Sequence, residues 1–431
     1  MKKILASVLA IVSILGLSAC SREHILDAPP FASSNVSSLA ESVSSPEESK
    51  VELTRKSFSP IEITGDNVLN SVRIFDTMYE DNKQAMFSPL SLNMCLGMAA
   101  AGAAGSSKTA LDSYLGNNDY ARFAADYLEH AKDLTIEVNN DYSKYKNVFE
   151  LANSFWGSKD LAFNEDYKKK VAENFGAKIE NVDFLESEKA ASKINSWVNE
   201  KTHEMIPKIV TPQQLGEDTA AVLVNTVYFE SAWNDEWYIP EEKEKFTNAD
   251  GSTADIELMR NGGDSYFEND NATAFSLGYK NGMKFIGILP KNEGDFTLES
   301  LDIGSLLKSE THAFDVSAKM PKLDFETTLP LTEALMAAGL SDIFDKAKAD
   351  FTPMQGSADE HFYVSEVIQK TKLELDDKGT KAAAATALLF GNTAMPEKRE
   401  IKEVYLNRPF AFLIYDGEAE QIVFMGKVTA M

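Results

Sequence analysis

The residues that could do catalytic chemistry are few and scattered in this sequence of 431 residues. The five histidines stand far apart, at positions 24, 130, 203, 312 and 361, and His203-Glu204 lacks the second histidine of a zinc-protease helix. Ser305 and Lys308 have the spacing of an acyl-transfer SxxK motif, but no SDN or KTG triplet accompanies them and no GxSxG is present. The sequence therefore predicts neither an enzyme nor a metal site, and a hydrolase built on Ser305 is the weakest alternative.

Phosphate and nucleic-acid chemistry is also disfavoured. Residues 102–109, GAAGSSKT, almost match a phosphate-binding loop, but Ser107 replaces the second glycine and the segment follows a predicted helix instead of a strand. Lys and Arg together number 42 against 67 Asp and Glu, a formal net charge of -25. Such a charge argues against nucleic acid, heparin-like polyanions and electrostatic binding to acidic lipids. No cofactor is predicted.

Cys20 carries the clearest chemistry near the N-terminus. Two lysines precede an apolar run that is too short to span a bilayer, and the run ends in LSAC at residues 17–20. This arrangement resembles a bacterial lipobox, in which the cysteine thiol takes the lipid; an ordinary signal peptide is the alternative. We expect residues 1–20 to be a lipoprotein signal peptide. Cys20 would then anchor the chain to the bacterial cell envelope, in the outer membrane because Ser21 rather than aspartate follows.

The rest of the chain divides into a tether and one body. Residues 21–56 are rich in Ser, Glu and Pro and cannot bury enough apolar surface to fold, so they are predicted to be a disordered tether. Residues 57–431 contain no linker and are predicted to be a single domain and a monomer. Cys95 lies in the apolar segment MCLGMAAAG. It is predicted to pack inside a helix, with an exposed reactive thiol as the alternative.

The stretch Leu373–Thr393, LELDDKGTKAAAATALLFGNT, has the most unusual composition. It begins with the alternation of a half-buried strand and then becomes rich in alanine and threonine. An alanine-rich helix is one interpretation, since alanine is the best helix former. The other is a strand whose first face is small and then apolar, with Lys381 on the opposite face. That first face carries Thr380, Ala382, Ala384, Thr386, Leu388 and Phe390. Such a segment could be both an exposed loop and a buried strand.

Periodicity and capping signals predict the elements that would position this stretch. Ser88 and Pro89 start a buried helix, and Asn225 is a polar exception in an apolar strand. The predicted helices are 67–79, 82–104, 165–175 and 190–203, a helix with its exit is predicted at 330–344, and the predicted strands are 148–157, 177–184, 219–233, 274–279, 283–289, 361–375, 409–415 and 421–428.

Several motifs together resemble the serpin family. They are FSPLS at 87–91, INSWV at 194–198, DDKGTKAAAATA at 376–387, NRPFAFLIYD at 407–416 and FMGKV at 424–428. The resemblance implies a mixed α/β (α+β) fold of three β-sheets and about nine helices, with an exposed reactive-centre loop at about 377–402. It also implies suicide inhibition of a serine endopeptidase or a papain-like cysteine endopeptidase, in which the cleaved loop inserts into the large sheet.

The resemblance assigns roles to named positions of this sequence. The hinge, where the loop joins the sheet, comprises Asp377, Gly379, Thr380, Lys381, Ala382, Ala383, Ala384, Ala385 and Thr386. The shutter, below the place where the sheet parts, comprises Ser88, Ser91, Asn225 and Gln369. The breach, where the loop first enters, comprises Trp233 and Lys322.

The reactive bond is expected at Thr393-Ala394, by the usual length of the loop counted from Gly379. A protease that accepts small residues would cut there, such as an elastase-, subtilisin- or papain-like enzyme. Cleavage after Phe390 would imply a chymotrypsin-like target, and cleavage at Ala394-Met395 is a further alternative. Lys398-Arg399 would suit a trypsin-like target but lies several residues too far along the loop.

Three positions depart from the family pattern. Gln369 stands where many serpins carry histidine, and we expect it to donate a hydrogen bond to Asn225. Asp377 is one methylene shorter than the usual glutamate and is expected to pair with Lys322. Lys381 replaces a common glutamate on the solvent face. The alternative function is a non-inhibitory serpin-fold surface lipoprotein that acts as a binding protein, and the small residues of the hinge argue against it.

Overall fold

The computed structural model describes residues 61–62, 64, 66–79, 84–116, 119–139, 144–217, 219–356, 362–380 and 399–431. The helices in these ranges are α1 (Asn67–Met78), α2 (Pro89–Ala101), α3 (Gly105–Tyr114), α4 (Tyr120–Asp133), α5 (Glu165–Phe175), α6 (Ser187–Lys201), α7 (Ile303–Lys308), α8 (Thr332–Leu335) and α9 (Ser341–Phe344). None of the described helices is both long enough and apolar enough to cross a membrane.

The same ranges contain eighteen strands, which form three larger sheets and one two-stranded ribbon. They are β1 (Ala85–Phe87), β2 (Ile136–Asn139), β3 (Lys144–Ser158), β4 (Lys178–Val182), β5 (Ala221–Ala232), β6 (Glu244–Thr247), β7 (Thr253–Ile256), β8 (Leu258–Gly263), β9 (Ser265–Glu268), β10 (Ala272–Gly278), β11 (Lys284–Pro290), β12 (Asp315–Pro321), β13 (Leu323–Pro330), β14 (Glu366–Leu375), β15 (Gly379–Thr380), β16 (Ile401–Tyr405), β17 (Phe410–Asp416) and β18 (Gln421–Val428).

The largest sheet has the order β13-β14-β15-β5-β3-β2, and β4 pairs with the other end of β3. Its centre is β5, which is apolar on both faces because both faces are covered. On the inner face, Leu223 and Phe229 join the main core. On the outer face, Val222 and Val224 join a second cluster that includes Trp197 of α6. The predicted strand at 219–233 is therefore confirmed, as a central strand.

The six-stranded sheet, in the order β1-β18-β17-β11-β10-β9, lies in the main core. The predicted C-terminal hairpin is its centre, with Phe412 opposite Gly426. A Cβ at Gly426 would come within 2.3 Å of the Phe412 ring, so only glycine fits there. The remaining sheet has the order β16-β12-β8, and its strand β16, which begins at Ile401, is the first strand of the described range 399–431. Three sheets were predicted, and the ribbon of β6 and β7 is an addition to them.

Helix α2 is buried on all sides between the sheets. Ser88 caps it, since its hydroxyl accepts a hydrogen bond from the Ser91 N–H at 3.2 Å, and Pro89 follows at the first position as predicted. Cys95 is buried in this helix, and burial raises the pKa of its thiol to about 12. The helix predicted within 330–344 is interrupted at Gly339, whose φ of +87° separates α8 from α9.

Candidate functional site

A gap opens in the middle of the largest sheet, between β5 and β14. These strands are parallel and pair directly at one end, where Val367 lies opposite Leu223. At the other end β15 lies between them, and Thr380 pairs with both Ser231 and Leu375. These two pairing positions are eight residues apart on each strand, from 367 to 375 on β14 and from 223 to 231 on β5. The register between β5 and β14 is therefore the same at both ends of the gap.

The gap is a wedge that widens toward the hinge. Neighbouring strands lie about 4.8 Å apart, so β5 and β14 are one spacing apart at the paired end and two spacings apart where β15 lies between them. Residues 224–230 of β5 and 368–374 of β14 line its edges. A strand that continued from Thr380 would run antiparallel to both edges in the register that β15 has already set. The arrangement can therefore accept one more strand without shifting either neighbour along its length.

The hinge is held at the wide end of the gap by backbone carbonyls. The N–H of Trp233 donates to the Lys378 carbonyl at 2.9 Å, and the N–H of Trp237 donates to the Asp377 carbonyl at 3.0 Å. The indole Nε1 of Trp233 donates to the Asp376 carbonyl at 2.9 Å. Asp376 also stabilises the turn itself, because its Oδ1 accepts the N–H groups of Lys378 and Gly379 at 2.8 and 3.3 Å. Trp233 and Trp237, which follow the end of β5, thus bind every residue of the turn that precedes β15.

Lys322 and Asp377 form the ion pair that the sequence predicted. The Lys322 Nζ lies 3.2 Å from Asp377 Oδ1, and the two side chains are 41% and 27% exposed. An exposed pair of this kind contributes about 0–1 kcal/mol. The backbone bonds of the hinge, which are more buried, therefore matter more to its position than this pair does.

Thr380 is the last described residue before the loop, and its side chain points into the core. It is buried, and its hydroxyl lies 2.7 Å from the Tyr279 hydroxyl. Tyr279 stacks on Trp233 with ring centroids 4.3 Å apart and an interplanar angle of 14°. Burial raises the pKa of the Tyr279 phenol above its usual value, so the group stays neutral. The inward direction of Thr380 fixes which face each following residue would take in an inserted strand.

The shutter residues Ser88 and Gln369 contact each other through the backbone of Ser88. The N–H of Ser88 donates to Gln369 Oε1 at 2.7 Å, and Gln369 Nε2 donates to the Ser88 carbonyl at 2.9 Å. The Ser88 hydroxyl donates to the Val423 carbonyl of β18 at 2.7 Å. Through these bonds the start of α2 connects β14 with the six-stranded sheet.

A second chain of hydrogen bonds runs from Ser91 to β3. The hydroxyl of Ser91 donates to Asn225 Oδ1, and Asn225 Nδ2 donates to Asn153 Oδ1. Asn153 Nδ2 then donates to the Phe175 carbonyl at 2.8 Å. All three polar side chains are buried, and a buried amide that lost its partner would cost about 1–3 kcal/mol.

The expectation that Gln369 donates to Asn225 is wrong for this structure. The two residues lie on opposite edges of the gap, and the start of α2 lies beneath it. Gln369 therefore forms its bonds with Ser88, and Asn225 forms its own with Ser91 and Asn153. The parted sheet is the physical reason, since it separates the two amides and gives each a partner on its own side.

Some expectations concern residues outside the described ranges. These are Lys381, Ala382, Ala383, Ala384, Ala385, Thr386, Thr393 and Ala394, and also Cys20. Conversely, sequence reasoning missed Asn153, Tyr279 and Asp376. A lone amide in the apolar strand ANSFWG could have indicated Asn153, as the same signal did for Asn225. Nothing in the sequence distinguished Asp376 from Asp377, because turn capping depends on backbone geometry.

Comparison with known proteins agrees with this geometry. The family model of the serpins, described as serine protease inhibitors, matches residues 69–431. The chain belongs to the serpin family. Leukocyte elastase inhibitor A of Mus musculus is 27% identical to this serpin over 389 residues, which cover 85% of this chain and 99% of that protein. Antithrombin-III of Homo sapiens is 28% identical over 361 residues, which cover 81% and 76% of the two chains.

The fold is shared with solved serpin structures. Tengpin, a thermophilic serpin in its native state, superposes with a TM-score of 0.73 and 28% identity, over 87% of this chain and 96% of that one. The mixed α/β serpin fold expected from the motifs is therefore confirmed. The family includes protease inhibitors, such as the leukocyte elastase inhibitor named above.

Proposed function

We propose that this serpin is a suicide inhibitor of serine endopeptidases, and that the gap between β5 and β14 receives its cleaved loop. The nucleophile of the target attacks the carbonyl carbon of Thr393. The Thr393–Ala394 bond breaks, the amine of Ala394 leaves with a proton, and an ester joins Thr393 to the target. A papain-like cysteine protease would form the corresponding thioester. The serpin acts stoichiometrically and not as an enzyme.

The observation that carries this proposal is the common register of the two strands that flank the gap. Thr380 already pairs with both edges, so the residues after it can add to the sheet one by one. Residues 380–393 in an extended strand would span about 45 Å at roughly 3.3 Å per residue. The acylated target, attached to Thr393, would be carried across the molecule by that distance before water hydrolyses the ester.

The proposed target is a protease that accepts small residues, such as an elastase- or subtilisin-like enzyme. Thr393 and Ala394 are small, and one relative of this chain is named an elastase inhibitor. Elastase is nevertheless a target of that relative, and for this chain it is a candidate to be tested. A chymotrypsin-like target that cuts after Phe390 is the outcome that would move the reactive bond.

A panel of proteases tests the proposal. The full chain is mixed with pancreatic elastase, neutrophil elastase, chymotrypsin, trypsin, subtilisin and papain, and each mixture is separated on a denaturing gel. The released C-terminal peptide is identified by mass spectrometry. We expect a complex that resists SDS and a peptide that begins at Ala394. The variant Ala384→Arg is the control, because a cation on the inward face of the strand should block insertion while leaving the cleavage site intact.

Each result of the panel has one meaning. A complex with a peptide that begins elsewhere would keep the mechanism and correct the position of the bond. Cleavage of the loop by every protease, with no complex and no gain in heat stability, would overturn the inhibitor proposal. It would favour the alternative, a non-inhibitory serpin that acts as a binding protein.

We also propose that Cys20 carries a lipid and anchors this serpin to the bacterial outer membrane. The support is the LSAC sequence at residues 17–20 after a short apolar run. Expression in a Gram-negative host with labelled palmitate tests it. Label in the wild-type protein, but not in the Cys20→Ser variant, is expected, and equal release of both from the membrane fraction by salt would contradict it.

A further inference from the structure

We propose that Glu230 and Glu374 are a paired receptor for the ammonium group of Lys381, which they bind when the strand after Thr380 enters the sheet. The inference rests on the loop insertion proposed above and adds a residue-level driving contact to its first step. Nothing in the general mechanism requires a cation at this position, so the contact is a property of this sequence.

The register of β15 determines the neighbours of Lys381. Thr380 pairs antiparallel with Ser231 of β5 and with Leu375 of β14. In an antiparallel ladder the partner moves back by one residue for each residue forward, so Lys381 would lie opposite Glu230 on one side and Glu374 on the other. Directly opposite residues have Cβ atoms about 4.5–5.5 Å apart and point to the same face. Extending β15 by one residue therefore places the Lys381 side chain between two carboxylates, one on each neighbouring strand.

The faces agree with this placement. Thr380 points inward to Tyr279, so the next residue of a strand points outward. Glu230 and Glu374 are half-buried on the outer face, whereas Leu375 beside Glu374 belongs to the core. All three charged side chains would thus share the outer surface of the sheet, where the lysine need not be desolvated completely.

The two carboxylates already belong to one electrostatic patch around Tyr228. The Tyr228 hydroxyl donates to Glu230 Oε2 at 2.8 Å. Burial, this hydrogen bond, and the charges of Glu230, Glu374 and Glu150 all raise the pKa of the Tyr228 phenol. Carboxylates of β5, β14 and β3 therefore make the wide end of the gap, which Lys381 would enter first, negatively charged.

The other charged groups of the patch have partners away from the gap. Glu150 lies one strand farther out, opposite Tyr228, and its Oε2 is 3.3 Å from Nε2 of His203. The His203 ring packs against the Tyr228 ring at a tilt of 37°. Lys372 lies 3.6 Å from Glu374 but makes its shorter contact with Asp324 of β13. Glu230 and Glu374 are thus the carboxylates on the two edges that a new strand would join.

A protease that cuts the loop without being trapped allows the contact of Lys381 to be measured separately from inhibition. Thermolysin uses a metal-activated water and forms no acyl-enzyme, so it can cut the loop near Leu388 to Phe390 and release it for insertion. The full chain, intact or cut, is then unfolded in concentrated guanidinium chloride and the unfolding rate is measured. We expect Lys381→Met to raise the unfolding rate of the cut chain about 2- to 30-fold, as for two cross-strand ion pairs, and to leave the intact chain unchanged.

Matched variants assign the effect to the proposed partners. The double variant Glu230→Gln, Glu374→Gln also loses contacts to Tyr228 and Lys372 in the intact chain, so its effect is taken as the excess in the cut chain over the intact chain. That excess should equal the effect of Lys381→Met, and the triple variant should show no greater excess. Lys381→Glu combined with Glu230→Lys should recover part of the loss. Lys245→Met, which removes a lysine from the exposed pair with Asp255 on the ribbon, should unfold at the wild-type rate in both forms.

The outcomes separate this inference from the proposed function. If cutting stabilises the wild-type chain but Lys381→Met has the same small effect on cut and intact forms, insertion occurs and the carboxylate pair is not its receptor. If Glu150→Gln matches the double variant, the partner is wrong and the inference fails in the same way. If cutting stabilises no form, the strand does not insert, and both the inference and the proposed function fail.

Discussion

Asn225 and Gln369 lie at the same level on β5 and β14 and face each other across the gap. Val367 of β14 pairs with Leu223 of β5, and the two strands are parallel. Gln369 and Asn225 are each two residues farther along their strands, so they lie opposite each other. Both side chains are buried, yet each bonds to a different partner: Gln369 to Ser88, and Asn225 to Ser91. Each amide is therefore bonded to the start of α2 and not to the other amide.

Thr386 is predicted to occupy the level between these two amides in the inserted form. The register of Thr380 places it there, with its side chain on the inner face. Thr386→Arg should bury an unpaired charge and turn the inhibitor into a substrate. Gel assays of complex against cleaved product would measure this as a loss of complex with unchanged cleavage. Thr386→Ser is the matched control and should form as much complex as wild type. If the arginine variant also formed as much complex as wild type, the register would be contradicted.

Ser91→Ala should destabilise the intact protein by about 1–3 kcal/mol, because Asn225 loses a buried donor. The free energy of unfolding in urea measures it. Ser196→Ala on the exposed face of α6 removes the same hydroxyl in solvent and should change the value by less than about 0.5 kcal/mol. Equal effects of the two variants would mean that the chain from Ser91 to Asn153 contributes no net stability.

Trp233→Phe should loosen the hinge. The phenyl ring can still stack on Tyr279, but the hydrogen bond from the indole to the Asp376 carbonyl is lost, at a cost of about 1 kcal/mol. Trp237→Phe is a close control, because within the described structure its Nε1 has no hydrogen-bond partner. Limited proteolysis of the hinge and urea unfolding should both show a larger change for Trp233→Phe. A larger change for Trp237→Phe than for Trp233→Phe would contradict the role given to the hydrogen bond from the Trp233 indole.

Asp76 should make stability fall as the pH rises from about 4 to about 6. Burial raises the pKa of its carboxyl to about 6, although the N–H groups of Glu299 and Leu298 oppose the shift. The folded state thus binds this proton more tightly than the unfolded state, and that stabilisation is present at low pH and lost through the folded pKa.

The variant Asp76→Asn isolates this titration from that of other carboxylates. The difference in unfolding free energy between wild type and Asp76→Asn should shift by about 1 kcal/mol between pH values of about 5.2 and 7.5, after allowing for the partial exposure of the group. Wild type should be relatively more stable at the lower pH. A constant difference would show that the carboxyl titrates at its ordinary pKa.

Local signals in the sequence predicted much of the scaffold. Ser88 and Pro89 indicated where α2 begins, and the apolar run around Asn225 indicated a central strand, because capping and burial depend on neighbouring residues. The ion pair of Lys322 with Asp377 also followed from motifs. The interrupted helix at Gly339 was missed, since a single residue with positive φ leaves the hydrophobic periodicity intact.

The sequence by itself determined which residues are small, polar or charged along the hinge, and hence that Lys381 and Thr380 belong on opposite faces of a strand. Only the tertiary structure decided their partners. The bonds of Gln369 depend on whether β5 and β14 are joined or parted, and the carboxylates proposed to receive Lys381 depend on the register of β15 with β14 and with the distant strand β5. Such long-range pairing is set by packing of the whole sheet, and no local pattern encodes it.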